Sequence, residues 1–185
     1  LEFIFQLVRE GARAREYEDA LMWLADMGLV HRSYLITKPG LPLGGYEDLK
    51  SFKIFMLDVG ILRFLSGLFP LAVLEGERVF SEFKGALTEQ YVLQELMMHD
   101  CITANHYWTS SGKAEVDFVF SDGLNIYPVE AKADVNVKAK SMKVYDELYH
   151  PKRIFIASLR PYRQNGHRTF IPLYLLFSIR LTLRK

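Results

Sequence analysis

The sequence predicts an α/β protein: a mixed β-sheet flanked by helices, preceded by a small helix-and-hairpin module. Three observations carry this prediction. Between residues 80 and 158 the periodicity alternates in the order α-β-β-β-α-β. Half of the 185 residues are apolar, which suffices for a sizeable core. Near the N-terminus, Pro39, Gly40, Pro42, Gly44 and Gly45 mark one long turn between two strand-like runs.

The first module spans residues 1–70. Tyr17, Leu21, Leu24 and Met27 recur at helical spacing, and Gly28 supplies a stop. Residues 30–37 read as a strand, 38–50 as a loop and 52–57 as a returning strand. Asp58 can cap a short helix through Leu65. Helix, strand, long turn and strand form the trailing half of a winged helix. Such a module reads DNA or packs against a neighbour. The acidic face Glu16-Tyr17-Glu18-Asp19 favours packing, because phosphates would repel it.

The second module spans residues 71–185. A helix is expected over 82–98, and strands over 106–109, 114–120 and 125–132. Ser121-Asp122-Gly123 is a tight hairpin signal between the last two. A helix over 138–149, a strand over 153–158 and a final helix over 172–179 complete it.

Composition narrows the function classes. The single cysteine, Cys101, excludes an internal disulfide framework and a four-cysteine zinc site, and a reducing, cytoplasmic setting is expected. The opening Leu1–Val8 stretch carries Glu2 and no basic leader, so it reads as the end of a helix begun upstream rather than a signal peptide. No run approaches the ~20 apolar residues of a membrane span. The net charge of +1 conceals an asymmetry. Residues 1–129 hold 11 Lys or Arg against 18 Asp or Glu, whereas residues 130–185 hold 12 against 4. The basic half suits phosphate backbones, and equally suits solvated helices or pairing with the acidic half. Lys138, Lys140, Arg160 and Arg163 are its candidate nucleic-acid contacts. The loop from Arg160 to Arg168 is expected to be irregular.

One constellation carries chemistry. Strand residues alternate faces. Val116, Phe118 and Phe120 are therefore expected on one side and Asp117 on the other, while Glu130 and Lys132 share a face opposite Tyr127, Val129 and Ala131. If the apolar sets meet one core, Asp117, Glu130 and Lys132 converge. Two carboxylates supply hard oxygens for Mg²⁺, with the Ala131 carbonyl able to add a third. Such an ion polarises a phosphate and acidifies bound water. A lysine supplies positive charge to the transition state. The same spacing also fits an amphipathic strand whose Glu and Lys neutralise each other. Pro128 cannot donate to a ladder and so cuts against a regular central strand; a bulge there would be tolerable and would re-aim its neighbours. A second Glu-x-Lys, Glu82-Phe83-Lys84, falls on a helix, where residues two apart do not share a face.

Glu89 is a fourth candidate. Gly85, Ala86, Val92 and Leu93 surround it at helical spacing, so it lies on an apolar stripe and calls for a partner, Lys132 or a metal. At the stripe's edge it would instead reach water. Tyr107 and Trp108 read as core, and the five histidines show no metal-ligand spacing.

Several stretches resemble a known family: G-A-R-A-R-E-Y-E-D-A-L-M-W-L, T-K-P-G-L-P-L, F-K-I-F-M-L-D-V-G-I-L-R, F-K-G-A-L-T-E-Q-Y-V-L-Q-E-L, G-K-A-E-V-D-F-V-F, P-V-E-A-K-A and S-L-R-P-Y-R. Together they are similar to a C-terminal domain of unknown function of bacterial and archaeal AAA-type ATPases. The resemblance covers nearly the whole chain. It implies a P-loop ATPase domain upstream, so ATP would bind only there; no G-x-x-x-x-G-K-[ST] occurs in this sequence. It also implies a restriction-endonuclease-like core of the PD-(D/E)xK type. Asp117 then matches the first metal-ligand acid, Glu130 and Lys132 the E-x-K pair, and Glu89 the acid on the first core helix. The expected function is a Mg²⁺-dependent nuclease-like module acting on DNA. The alternative is a non-catalytic module binding nucleic acid or protein and regulating the ATPase. A winged-helix transcription factor ranks third, given the acidic N-terminal half.

Overall fold

The computed structural model describes residues 14–69, 78–99, 103–110, 114–133 and 140–183. Helix α1 (Ala14–Asp26) leads into β1 (Val30–Ile36). Gly28 turns the chain at φ +71°, and the Leu29 N–H donates to the Leu24 carbonyl at 2.9 Å, closing the helix end. A 3₁₀ turn (Leu43–Tyr46) precedes β2 (Glu47–Met56), so the returning strand begins five residues earlier than the expected start at 52. Asp58 caps α2 (Val59–Leu65) by accepting the Ile61 N–H at 2.7 Å, a cap that contributes about 1 kcal/mol.

The second half supplies α3 (Arg78–Met97), β3 (Thr103–Ser110), β4 (Ala114–Ser121), β5 (Ile126–Ala131), α4 (Lys140–Tyr149) and β6 (Ile154–Ser158). Two further strands follow, β7 (Arg163–Asn165) and β8 (Arg168–Pro172). The segment expected to be an irregular basic loop is thus mostly a hairpin, with Arg163 on its outer strand. Gly166, at φ +58°, takes the first position of the two-residue turn Gly166-His167 between Asn165 and Arg168. Beyond β8 the chain forms a 3₁₀ helix (Leu173–Ser178) and only then α5 (Ile179–Leu183), where one helix over 172–179 was expected.

All eight strands form one mixed sheet, ordered β2-β1-β3-β4-β5-β6-β8-β7. The β1–β2 hairpin joins the rest through parallel pairing of Tyr34, Leu35 and Ile36 with His106, Tyr107 and Trp108. Gln90 of α3 ties the edge strand β2 to the helix, accepting the Met56 N–H at 2.8 Å and donating to its carbonyl at 2.7 Å. That clamp also blunts the strand's open edge.

Two apolar cores lie on opposite faces of the sheet. Val92, Leu93 and Leu96 of α3 pack on Phe118, Phe120, Val129 and Phe155. Met142 and Tyr145 of α4 pack on Trp108, Val116, Val119 and Ile156. Each fully buried large side chain contributes roughly 1.5–3 kcal/mol. Among the described residues, no helix is long and apolar enough to cross a membrane.

Candidate functional site

The split of β4 between the two cores corrects the simple alternation expected of it. Val116 faces α4 with Val119, whereas Phe118 and Phe120 face α3. The cause is an extra residue in β4: Trp108 pairs with Val116, but His106, two residues earlier, pairs with Val119. The bulge therefore falls at Asp117 and Phe118. Pro128 itself is accommodated without a bulge. Register with β4 runs unbroken from Phe118 opposite Val129 through Val119 opposite Pro128, and pairing with β6 begins at Val129.

The bulge decides what Asp117 does. The β4–β5 register ends at Phe118 and Val129. Beyond that point the Asp117 Oδ2 accepts the Ala131 N–H at 2.7 Å. A side-chain oxygen thus takes the part of a backbone acceptor where the strands separate. Glu130, next to Ala131, is only 3% exposed. Its Oε1 lies 2.5 Å from Lys132 Nζ, while its Oε2 is buried without a hydrogen-bond partner. The Lys132 N–H donates to the Ala157 carbonyl at 2.8 Å, anchoring the end of β5 to β6.

Glu89 sits half-buried on α3, beside a cavity of about 130 Å³ lined by Phe55, Met56, Phe83 and Gln90 among others. Lys132 pairs with Glu130 rather than with Glu89. Glu89 nevertheless acts electrostatically on Asp117, Glu130 and Lys132, so the four groups share one field.

That field is crowded with negative charge. Asp117 retains some contact with solvent, yet the fold encloses it closely enough that burial is the largest influence on its carboxyl. Burial, then Glu130 and Glu89, push it up to about 8 against the Ala131 N–H and Lys132. Burial also pushes the Glu130 carboxyl up, with Lys132 opposing and Glu115 and Glu89 adding. Lys132 pays for burial too, but Glu130, Asp117 and Glu89 outweigh it and hold its ammonium above the ordinary lysine range.

The candidate basic contacts are spread along one end of the sheet. Helix α4 carries the chain from the C-terminal end of β5 to the start of parallel β6, so its exposed first residue, Lys140, begins at the site's end. Arg160 follows β6 by two residues and lies over the Phe170 ring at 5.9 Å. Exposed Arg163 is the register partner of Phe170. Lys138 lies outside the described residues. Tyr107 and Trp108 are buried, as core residues should be.

A cation would suit this donor set. Asp117 and Glu130 offer hard oxygens, Glu130 Oε2 is an orphaned buried acceptor, and the carboxylates repel one another. Among the described residues no third His, Cys, Asp or Glu joins a compact metal-holding group. Water, the Ala131 carbonyl or a phosphate oxygen would have to complete the shell, as Mg²⁺ sites commonly require.

The fold and site thus define an α/β protein with a buried carboxylate–lysine cluster at the end of a mixed sheet. Residues 84–176 match a family described as a domain of unknown function (DUF4143); the match covers half of the chain, and the chain belongs to that family. Residues 2–72 match a second domain of unknown function (DUF8612). No curated protein and no solved structure matches the chain.

Proposed function

We propose that this chain is a metal-dependent nuclease-like module hydrolysing phosphodiesters in DNA, with a restriction-endonuclease-like core and a winged-helix-like segment before it. The observation that carries the reading is the convergence of Asp117, Glu130 and Lys132 where β4 and β5 part. Asp117 and Glu130 would hold Mg²⁺. The bound ion would polarise the scissile phosphate and acidify an attacking water. Lys132, anchored by Glu130 at 2.5 Å, would offer positive charge to the developing phosphorane. Glu89 would orient Lys132 or a second ion. Lys138, Lys140, Arg160 and Arg163 would track the DNA backbone. The setting would be cytoplasmic, and the partner an ATPase domain of the AAA type carried by a longer protein, with ATP bound there. Incubation of the chain with linear and supercoiled DNA, with and without Mg²⁺ or Mn²⁺, tests this directly; absence of cleavage under every metal condition would refute it.

A second reading has its own support. The Glu130–Lys132 pair closes on itself, and no third ligand joins Asp117 and Glu130 among the described residues. A non-catalytic module that binds nucleic acid or protein and regulates the ATPase would keep such a pair for structure. Retained partner binding without divalent-metal binding favours this reading.

A further inference from the structure

A second lysine, this one buried, is tied to β4, the strand that carries Asp117. Lys53 of β2 is only 5% exposed. Its Nζ makes an ion pair with Oε1 of half-exposed Glu115 on β4 and lies over the Tyr107 ring of β3, 4.9 Å from the centroid. Strands β1 and β3 separate the two partners in the sheet. The residue under the lysine's path is small: Ser33 is the register partner of Lys53 and is fully buried. A lysine this enclosed needs a fixed anion, because burying an unpaired ammonium is costly. Glu115 is that anion.

Glu115 is also two residues before Asp117 on β4, separated from it by Val116 alone. Its charge reaches Glu130. Lys53 comes from the segment matched at 2–72 and Glu115 from the segment matched at 84–176, so the pair joins the two.

We propose that Lys53 is a positioning residue of the candidate site: by holding Glu115 in an ion pair, it sets how much negative charge faces a divalent cation at Asp117 and Glu130. The inference rests on the metal-site reading above. It makes the site composite, because one of its charges arrives from the N-terminal segment. Loss of the lysine leaves Glu115 unneutralised beside Glu130 and strengthens cation binding. Loss of the glutamate leaves the lysine's charge uncompensated and weakens it. Disruption of the fold would instead weaken binding in both variants.

The experiment is calorimetric titration of the whole chain with Mn²⁺, with circular dichroism confirming that each variant is folded. Lys53→Met should bind Mn²⁺ more tightly, by roughly three- to tenfold, and Glu115→Gln more weakly by a similar factor. Lys53→Arg and the double variant Lys53→Met/Glu115→Gln should both stay near the wild type. If Lys53→Met fails to fold, the weakening by Glu115→Gln and the neutrality of Lys53→Arg carry the test. Mn²⁺ binding by the wild type with folded single variants unchanged overturns the role of Lys53 and leaves the metal site standing. Absence of Mn²⁺ binding by the wild type overturns both.

Discussion

The Asp117 carboxylate accepts the Ala131 backbone N–H at 2.7 Å, just past the last register pair of β4 with β5. This bond places an acid beside Glu130 without a partner of opposite charge of its own, and the stability of the fold should register it.

Asp117 gives that expectation a sign. Its carboxyl, held up to about 8 by burial, Glu130 and Glu89, stays protonated in the folded chain long after the unfolded chain has lost its proton near pH 4. The unfolded state therefore binds fewer protons between roughly pH 4 and 8, and stability falls as pH rises through that window. Above it the penalty is constant. Asp117→Asn keeps an acceptor for Ala131 and removes the ionisation. Its urea midpoint, measured in EDTA, should gain on the wild type from pH 5 to pH 8. A pH-independent difference would contradict the account.

The Glu130–Lys132 pair should respond asymmetrically. Lys132→Met strands a buried carboxylate and should cost about 1–3 kcal/mol, discounted because the lysine is a third exposed. Glu130→Gln leaves an ammonium that can turn to water, and should cost less. Urea unfolding at pH 7 in EDTA checks the ranking. Equal costs would mean that the pair is not buried as described.

Much of this architecture was legible in the sequence, where local chemistry decides. Gly28 stops a helix, Asp58 caps one, and Asp122 closes the β4–β5 turn by accepting the N–H groups of Leu124 and Asn125. Long-range pairing was not legible. The parallel contact of β1 with β3 depends on residues some seventy positions apart, as Tyr34 and His106 are. The Asp117 bulge depends on the register of β3. Of the candidate site, the residue identities could be read, but neither the Ala131 N–H acceptor role nor the Lys53–Glu115 pair could. Both are products of the bulge and of a sheet that runs through both matched segments. The β7–β8 hairpin is different, since Gly166 at the first turn position is a local signal, but the polar, arginine-rich strand beside it lacks the apolar alternation that marks a strand.

Arg160 and Arg163 flank Phe170 at the site's end of the sheet. If they track a DNA backbone, Arg163→Ala should weaken binding to all sequences alike and lower the slope of log affinity against log salt by about one. Fluorescence anisotropy on duplex DNA between 50 and 200 mM salt, about the range over which such contacts are lost, reads both quantities. An unchanged slope would remove Arg163 from the interface.

Metal-dependent hydrolysis at Asp117 is the central claim, and a cleavage assay comparing wild type with Asp117→Ala in Mg²⁺, Mn²⁺ and EDTA tests it most directly. The account predicts DNA cleavage that requires the metal, is abolished by EDTA and falls by on the order of a hundredfold or more in Asp117→Ala. Cleavage at the wild-type rate by Asp117→Ala, or none by the folded wild type in either metal, would contradict it.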